Sequence, residues 1–161
     1  MKIYIFLLFV FISLTPDLRA QESLRVGNKI PEINVNPLDG DQKSINEIKS
    51  KLILIDFWAG YCRPCLKSIK NILKPLYNSY SRDQLEIIGI NVDTSPELWV
   101  KSADKAGIPW IQVYDQDRSL LKAFNVKAIP HYFLVDENKK IIEADLKSGD
   151  IKKAIKEYLG N

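Results

Sequence analysis

Soft metal ligands are scarce in this sequence: 161 residues contain two cysteines, one histidine and one methionine. A structural zinc site normally takes four Cys or His ligands, so the chain is short of them. Charge of one sign is lacking as well. Lys and Arg number 23 against 20 Asp and Glu, for a formal net charge of +3. No basic block stands out, which argues against a nucleic-acid partner. There is no internal repeat, no low-complexity tract and no interdomain linker. The length suits one domain with a sizeable core.

The longest apolar run, Ile3 to Leu14, is broken only by Ser13. As a helix it would span about 18 Å, short of a hydrocarbon core of roughly 30 Å. Lys2 gives it a basic start, and Ala20 is a small residue before a cut at Gln21. Residues 1–20 read as a secretory signal peptide, with an uncleaved anchor as the second option because Leu18 and Arg19 fit the cut poorly. No cysteine stands near it to carry a lipid. The mature chain, residues 21–161, is then expected outside the cytoplasm, in the periplasm, where cysteine pairs tend to be oxidised. It touches a membrane only if the first segment stays.

Both cysteines lie in Trp58-Ala59-Gly60-Tyr61-Cys62-Arg63-Pro64-Cys65. The apolar run Leu52 to Ile55 before it reads as a buried strand. After it, Ile69, Ile72, Leu73, Leu76, Tyr77 and Tyr80 recur at helical spacing. The sulfurs therefore sit where a strand ends and a helix begins. First-turn N–H groups carry partial positive charge, and Arg63 adds a full one. Both lower the expected Cys62 pKa below the free value of about 8.5. Pro64 suits the first turn, where a missing N–H costs little. Cys65, three residues on, is within reach of Cys62. The ring they can close is small and would stabilise the fold by only about 2 kcal/mol. A reversible redox pair explains the spacing better than a staple, two inert thiols or a zinc site.

The rest of the chain alternates strand and helix signals. Ile33–Leu38 and Gln42–Ile45 read as short strands around an Asp39-Gly40 turn, and Ile45–Ile48 as one helical turn. Lys51–Trp58 is the central strand. The helix from Arg63 to Tyr80 contains Pro75, which should kink or break it. Leu85–Asp93 is a strand. Pro96–Ala106 is a helix with Ser95 as its cap and Gly107 as its stop. Trp110–Tyr114 is a strand, followed by a short helix to Phe124. Tyr132–Val135 and Lys140–Ala144 form a hairpin. Asp150–Leu159 is a final helix with Ile151, Ile155, Tyr158 and Leu159 on one face. The sum is an α/β fold, a central mixed β-sheet flanked by helices.

Ile55 to Cys65 resembles the active-site signature of the thioredoxin superfamily, and residues after the first twenty are similar to its exported TlpA/ResA-like thiol–disulfide oxidoreductases. Val26-Gly27-Asn28-Lys29-Ile30-Pro31 resembles the G-x-x-x-P opening of that group. The resemblance implies a thioredoxin-like fold with an N-terminal extension and an inserted helix and strand over about Pro96 to Phe124. It implies an enzyme whose only redox group is the Cys62–Cys65 disulfide, with no other cofactor and no metal. Asp56 would take the proton of Cys65; the competing reading on the residues alone is that it faces solvent or accepts backbone N–H bonds. The lysine that thioredoxin places near this aspartate aligns with Gly89. Ile129-Pro130 resembles the cis-proline loop opposite the cysteines, whose backbone pairs with an extended substrate. Trp58 would pack beside the disulfide with one edge exposed, and Tyr61 would shield Cys62 or touch substrate. His131 reads as a strand start. Expected partners are protein disulfides outside the cytoplasm, among them apocytochromes c, and a membrane electron donor.

Two other classes remain open. Peroxiredoxins share the opening motif but want Thr three residues before the reactive cysteine, where Ala59 stands before Cys62. A copper(I) module would use the two soft sulfurs, although such relatives space their cysteines more widely and add a distal His.

Overall fold

A computed structural model describes residues 24–35 and 43–160. The first twenty residues and the Asp39-Gly40 turn lie outside the described residues. Two short strands, β1 (Asn34–Val35) and β2 (Lys43–Ser44), pair antiparallel and lead into a 3₁₀ turn at Ile45–Glu47. Ser44 and Glu47 close that turn with a reciprocal capping box.

The main sheet has the order β5-β4-β3-β6-β7. Its central strand is β3 (Leu52–Trp58), every residue of which is buried. A strand with helices on both its faces needs such a continuous apolar run. On one side β3 pairs parallel with β4 (Leu85–Asn91), and β4 parallel with β5 (Ile111–Tyr114). Parallel neighbours require helical crossovers. The first is the active-site helix; the second is α3 (Pro96–Ala106), capped by Ser95 and ended by Gly107 at φ 56°. On the other side β3 pairs antiparallel with β6 (His131–Asp136), which turns back as β7 (Ile141–Glu143). Two helices complete the fold, α4 (Ser119–Ala123) and α5 (Ile151–Leu159).

Helices cover both faces. The Tyr132 hydroxyl donates to Ser68 Oγ at 2.7 Å, tying β6 to the active-site helix. On the opposite face Phe124, just after α4, packs edge-on against Phe57 and Phe133 at 5.3 and 5.1 Å between ring centres. Trp99 of α3 stacks on Tyr114 of β5 at 5.4 Å.

The irregularity expected at Pro75 is present as a change of winding. α1 (Arg63–Ser68) passes through a π-helical stretch at Ile69–Leu73 into α2 (Lys74–Ser79), and the Lys74 N–H reaches back to Ile69 O. The wider turn absorbs the donor that proline lacks. Tyr158 lies on the same side of α5 as Ile151 and Ile155 but is not buried with them. It is 46% exposed, and its hydroxyl donates to Ile142 O at 3.2 Å. No helix among the described residues is long and apolar enough to cross a membrane.

Candidate active site

The site forms at the end of β3. Cys62 and Cys65 are joined by a disulfide, with their Cα atoms 5.2 Å apart. Cys62 is the N-cap of α1, and its Sγ accepts the Cys65 N–H at 3.2 Å. Its own N–H donates to Ala59 O at 3.1 Å, and its carbonyl accepts from Leu66 N at 3.1 Å. The sulfur thus sits against the positive end of a helix dipole, where a thiolate is stabilised. Arg63 and Pro64, both exposed, occupy the first turn behind it. Cys62 is 7% exposed and Cys65 1%. Both residues are buried, and Cys62 is the less deeply buried of the two.

Asp56 is fully buried, and neither carboxylate oxygen has a hydrogen-bond partner among the described residues. Burial pushes its pKa up to about 8. The solvent-facing and N–H-bonded readings of this residue are therefore wrong. In register, Asp56 lies beside Gly89 on one neighbour and Tyr132 on the other, so all three point to the same face. Burial, with the Asp56 charge second, pushes the Tyr132 hydroxyl up to about 12.

Trp58 shares that face, two residues on. The expected exposed edge is absent: Trp58 has 0% exposure, and its indole N–H donates to Gln112 Oε1 at 2.9 Å. It shapes the floor of the site and cannot touch a substrate. Gln112 also lies over Gly89, where an added methyl would stand 2.7 Å from Oε1. A side chain from the edge strand thus fills space that a larger residue at position 89 would occupy.

Tyr61 is 64% exposed beside Cys62. The Ile129–Pro130 peptide bond is cis, and both residues are half-buried at the start of β6. His131 opens that strand, and its imidazole lies 3.0 Å from Asp145 Oδ1. Burial holds His131 below the usual histidine range, with Asp145 partly opposing.

The sequence reading missed Asp93, which accepts the Gly60 N–H at 3.0 Å through Oδ2 and the Asn91 amide at 2.9 Å. It also missed Gln112, and Ser102, whose Cβ lies 2.6 Å from where a Cβ on Gly60 would stand. Gly60 and Trp58, which Asp93 and Gln112 meet in the site, lie 33 and 54 residues from them in sequence, and no local pattern signals those contacts. Among the described residues, no group of three or more His, Cys, Asp or Glu could hold a metal ion.

The model of the Redoxin family matches residues 25–159. The thiol-disulfide oxidoreductase ResA of Geobacillus thermodenitrificans is 31% identical over 134 residues, 81% of this chain and 76% of that protein. ResA of Geobacillus kaustophilus is 30% identical over 135 residues with the same coverage. Among solved structures, the thioredoxin domain of a thiol-disulfide oxidoreductase from Bacteroides vulgatus aligns with a TM-score of 0.76 at 30% identity, covering 85% of this chain and 99% of that one.

Proposed function

Because the chain belongs to the Redoxin family, as a TlpA/ResA-like thiol–disulfide oxidoreductase of the thioredoxin superfamily, we propose that it reduces protein disulfides outside the cytoplasm through the Cys62–Cys65 pair. The observation that carries the reading is the inequality of the two cysteines: Cys62 caps the helix with its sulfur on the Cys65 N–H, while Cys65 lies inside the first turn and is the more deeply buried.

In the reduced protein the Cys62 thiolate attacks one sulfur of a substrate disulfide. That S–S bond breaks, and the departing sulfur leaves as a thiolate that takes a proton from solvent. Cys65 then loses its proton to the Asp56 carboxylate and attacks Cys62 Sγ. The mixed disulfide breaks, the second substrate sulfur leaves, and the Asp56 proton returns to it. Two electrons have passed to substrate, and the Cys62–Cys65 disulfide remains. Ile129 and Pro130 present backbone to the extended substrate, and Tyr61 flanks the attacked sulfur. Apocytochromes c are the substrate class that the family resemblance favours. A membrane dithiol donor restores the reduced pair.

The direct test is insulin reduction driven by dithiothreitol. The unchanged protein should accelerate precipitation of the insulin B chain; Cys62→Ser should fall to the uncatalysed rate. Equal rates for the two would refute the activity. N-terminal sequencing of the protein from cell fractions checks the export reading, which predicts a chain starting at Gln21 outside the cytoplasm.

A further inference from the structure

A groove of about 700 Å³ runs from the redox loop along the seam between the active-site helix and α3. Gly60 and Tyr61 form its inner end, next to Cys62. Leu66, Ile69 and Leu98 give it an apolar floor. Leu98 is largely exposed there, as is Tyr61. Exposed large apolar residues at one place on a surface mark a contact site more often than scattered single ones do.

The rim is cationic. Lys70 and Lys74 are one helical turn apart on one wall; Lys101 and Lys105 are one turn apart on the other. Lys74 reaches across, its Nζ 3.1 Å from where a Cβ on Gly107 would lie. None of the four belongs to an ion pair among the described residues. The one carboxylate in the lining, Asp93, is buried and already accepts the Gly60 N–H and the Asn91 amide. The acidic residues of α3, Glu97 and Asp104, are not part of the lining. The groove thus offers four lysines against one buried carboxylate around an apolar strip, and its end at Gly60 and Tyr61 adjoins Cys62 in the chain.

Resting on the reductase reading above, we propose that this groove docks an acidic, partly apolar segment of the polypeptide whose disulfide Cys62 attacks. Carboxylates on the segment meet the lysine rim, and its apolar side chains lie on the floor. Charge complementarity of this kind steers encounter and selects among partners.

The test needs no redox chemistry, so it separates from the insulin assay. Two labelled synthetic peptides are compared by fluorescence anisotropy on the oxidised full chain. Each has leucines and a Ser in place of the attacked Cys; one carries Asp and Glu, the other Asn and Gln. The acidic peptide should bind about tenfold or more tightly, and raising salt from about 0.05 to 0.5 M should erase the difference. Lys70→Glu/Lys101→Glu/Lys105→Glu should abolish the preference. The same charge change on α5, Lys152→Glu/Lys153→Glu/Lys156→Glu, should leave it. Equal binding of the two peptides, or equal losses from both triple variants, overturns the proposal. So does equal peptide binding combined with groove-dependent binding to phosphatidylglycerol vesicles, which would make the rim a lipid contact.

Discussion

Buried and without a hydrogen-bond partner among the described residues, the Asp56 carboxyl is held mostly protonated at neutral pH. As the base for Cys65 it must first lose that proton. The rate at which Cys65 resolves a preformed mixed disulfide should therefore rise with pH and level off above about pH 8. Asp56→Asn keeps the shape and removes the base. It should slow resolution by about a hundredfold or more and move the inflection to that of the Cys65 thiol itself. Rapid-quench kinetics over a pH series decide this. An unchanged profile in Asp56→Asn would reduce the residue to a core component.

At the scale of elements, α3 and the redox loop are locked by a close approach that only glycine permits. A methyl on Gly60 would stand 2.6 Å from Ser102 Cβ and 3.3 Å from Asp93 Oδ2. Ser102 Cβ is fixed to the α3 backbone and has no rotamer to escape by. Gly60→Ala should then force α3 outward at a cost of about 1–3 kcal/mol, the usual penalty for overpacking. Adding Ser102→Gly should recover most of that loss. Thermal melting of the single and double variants measures both. No recovery would mean that the strain lies in the loop and not between loop and helix.

For the whole molecule, the same carboxyl sets how stability varies with pH. Its pKa is about 8 folded against 3.8 as the ordinary value. Between those limits the folded chain holds a proton that the unfolded chain has released. Stability from this group is present in full below about pH 4, falls as pH rises, and levels off above about pH 8. The slope is at most about 1.4 kcal/mol per pH unit. Glu86, raised chiefly by burial, adds the same sign; His131, lowered by burial, opposes it near its own pKa. The quantity to measure is therefore the difference between the unchanged protein and Asp56→Asn in denaturant unfolding at pH 5 and pH 8. Asp56→Asn should gain relative stability at the higher pH.

What the sequence alone determined is the part that local physics controls. Apolar runs, a Pro-Cys pair at a helix start, Ser95 and Gly107 as caps, and hairpin signals around Asp136 act within a few residues. They placed the strands, most of the helices and both sulfurs. Tertiary structure alone decided which residues meet across the sheet. It sealed Trp58 under Gln112, set Asp56 beside Gly89 and Tyr132, pressed α3 onto Gly60 and gathered four lysines from two helices around one groove. Those outcomes depend on register and crossover packing between segments far apart in the chain, and hydrophobic periodicity carries no record of such pairings.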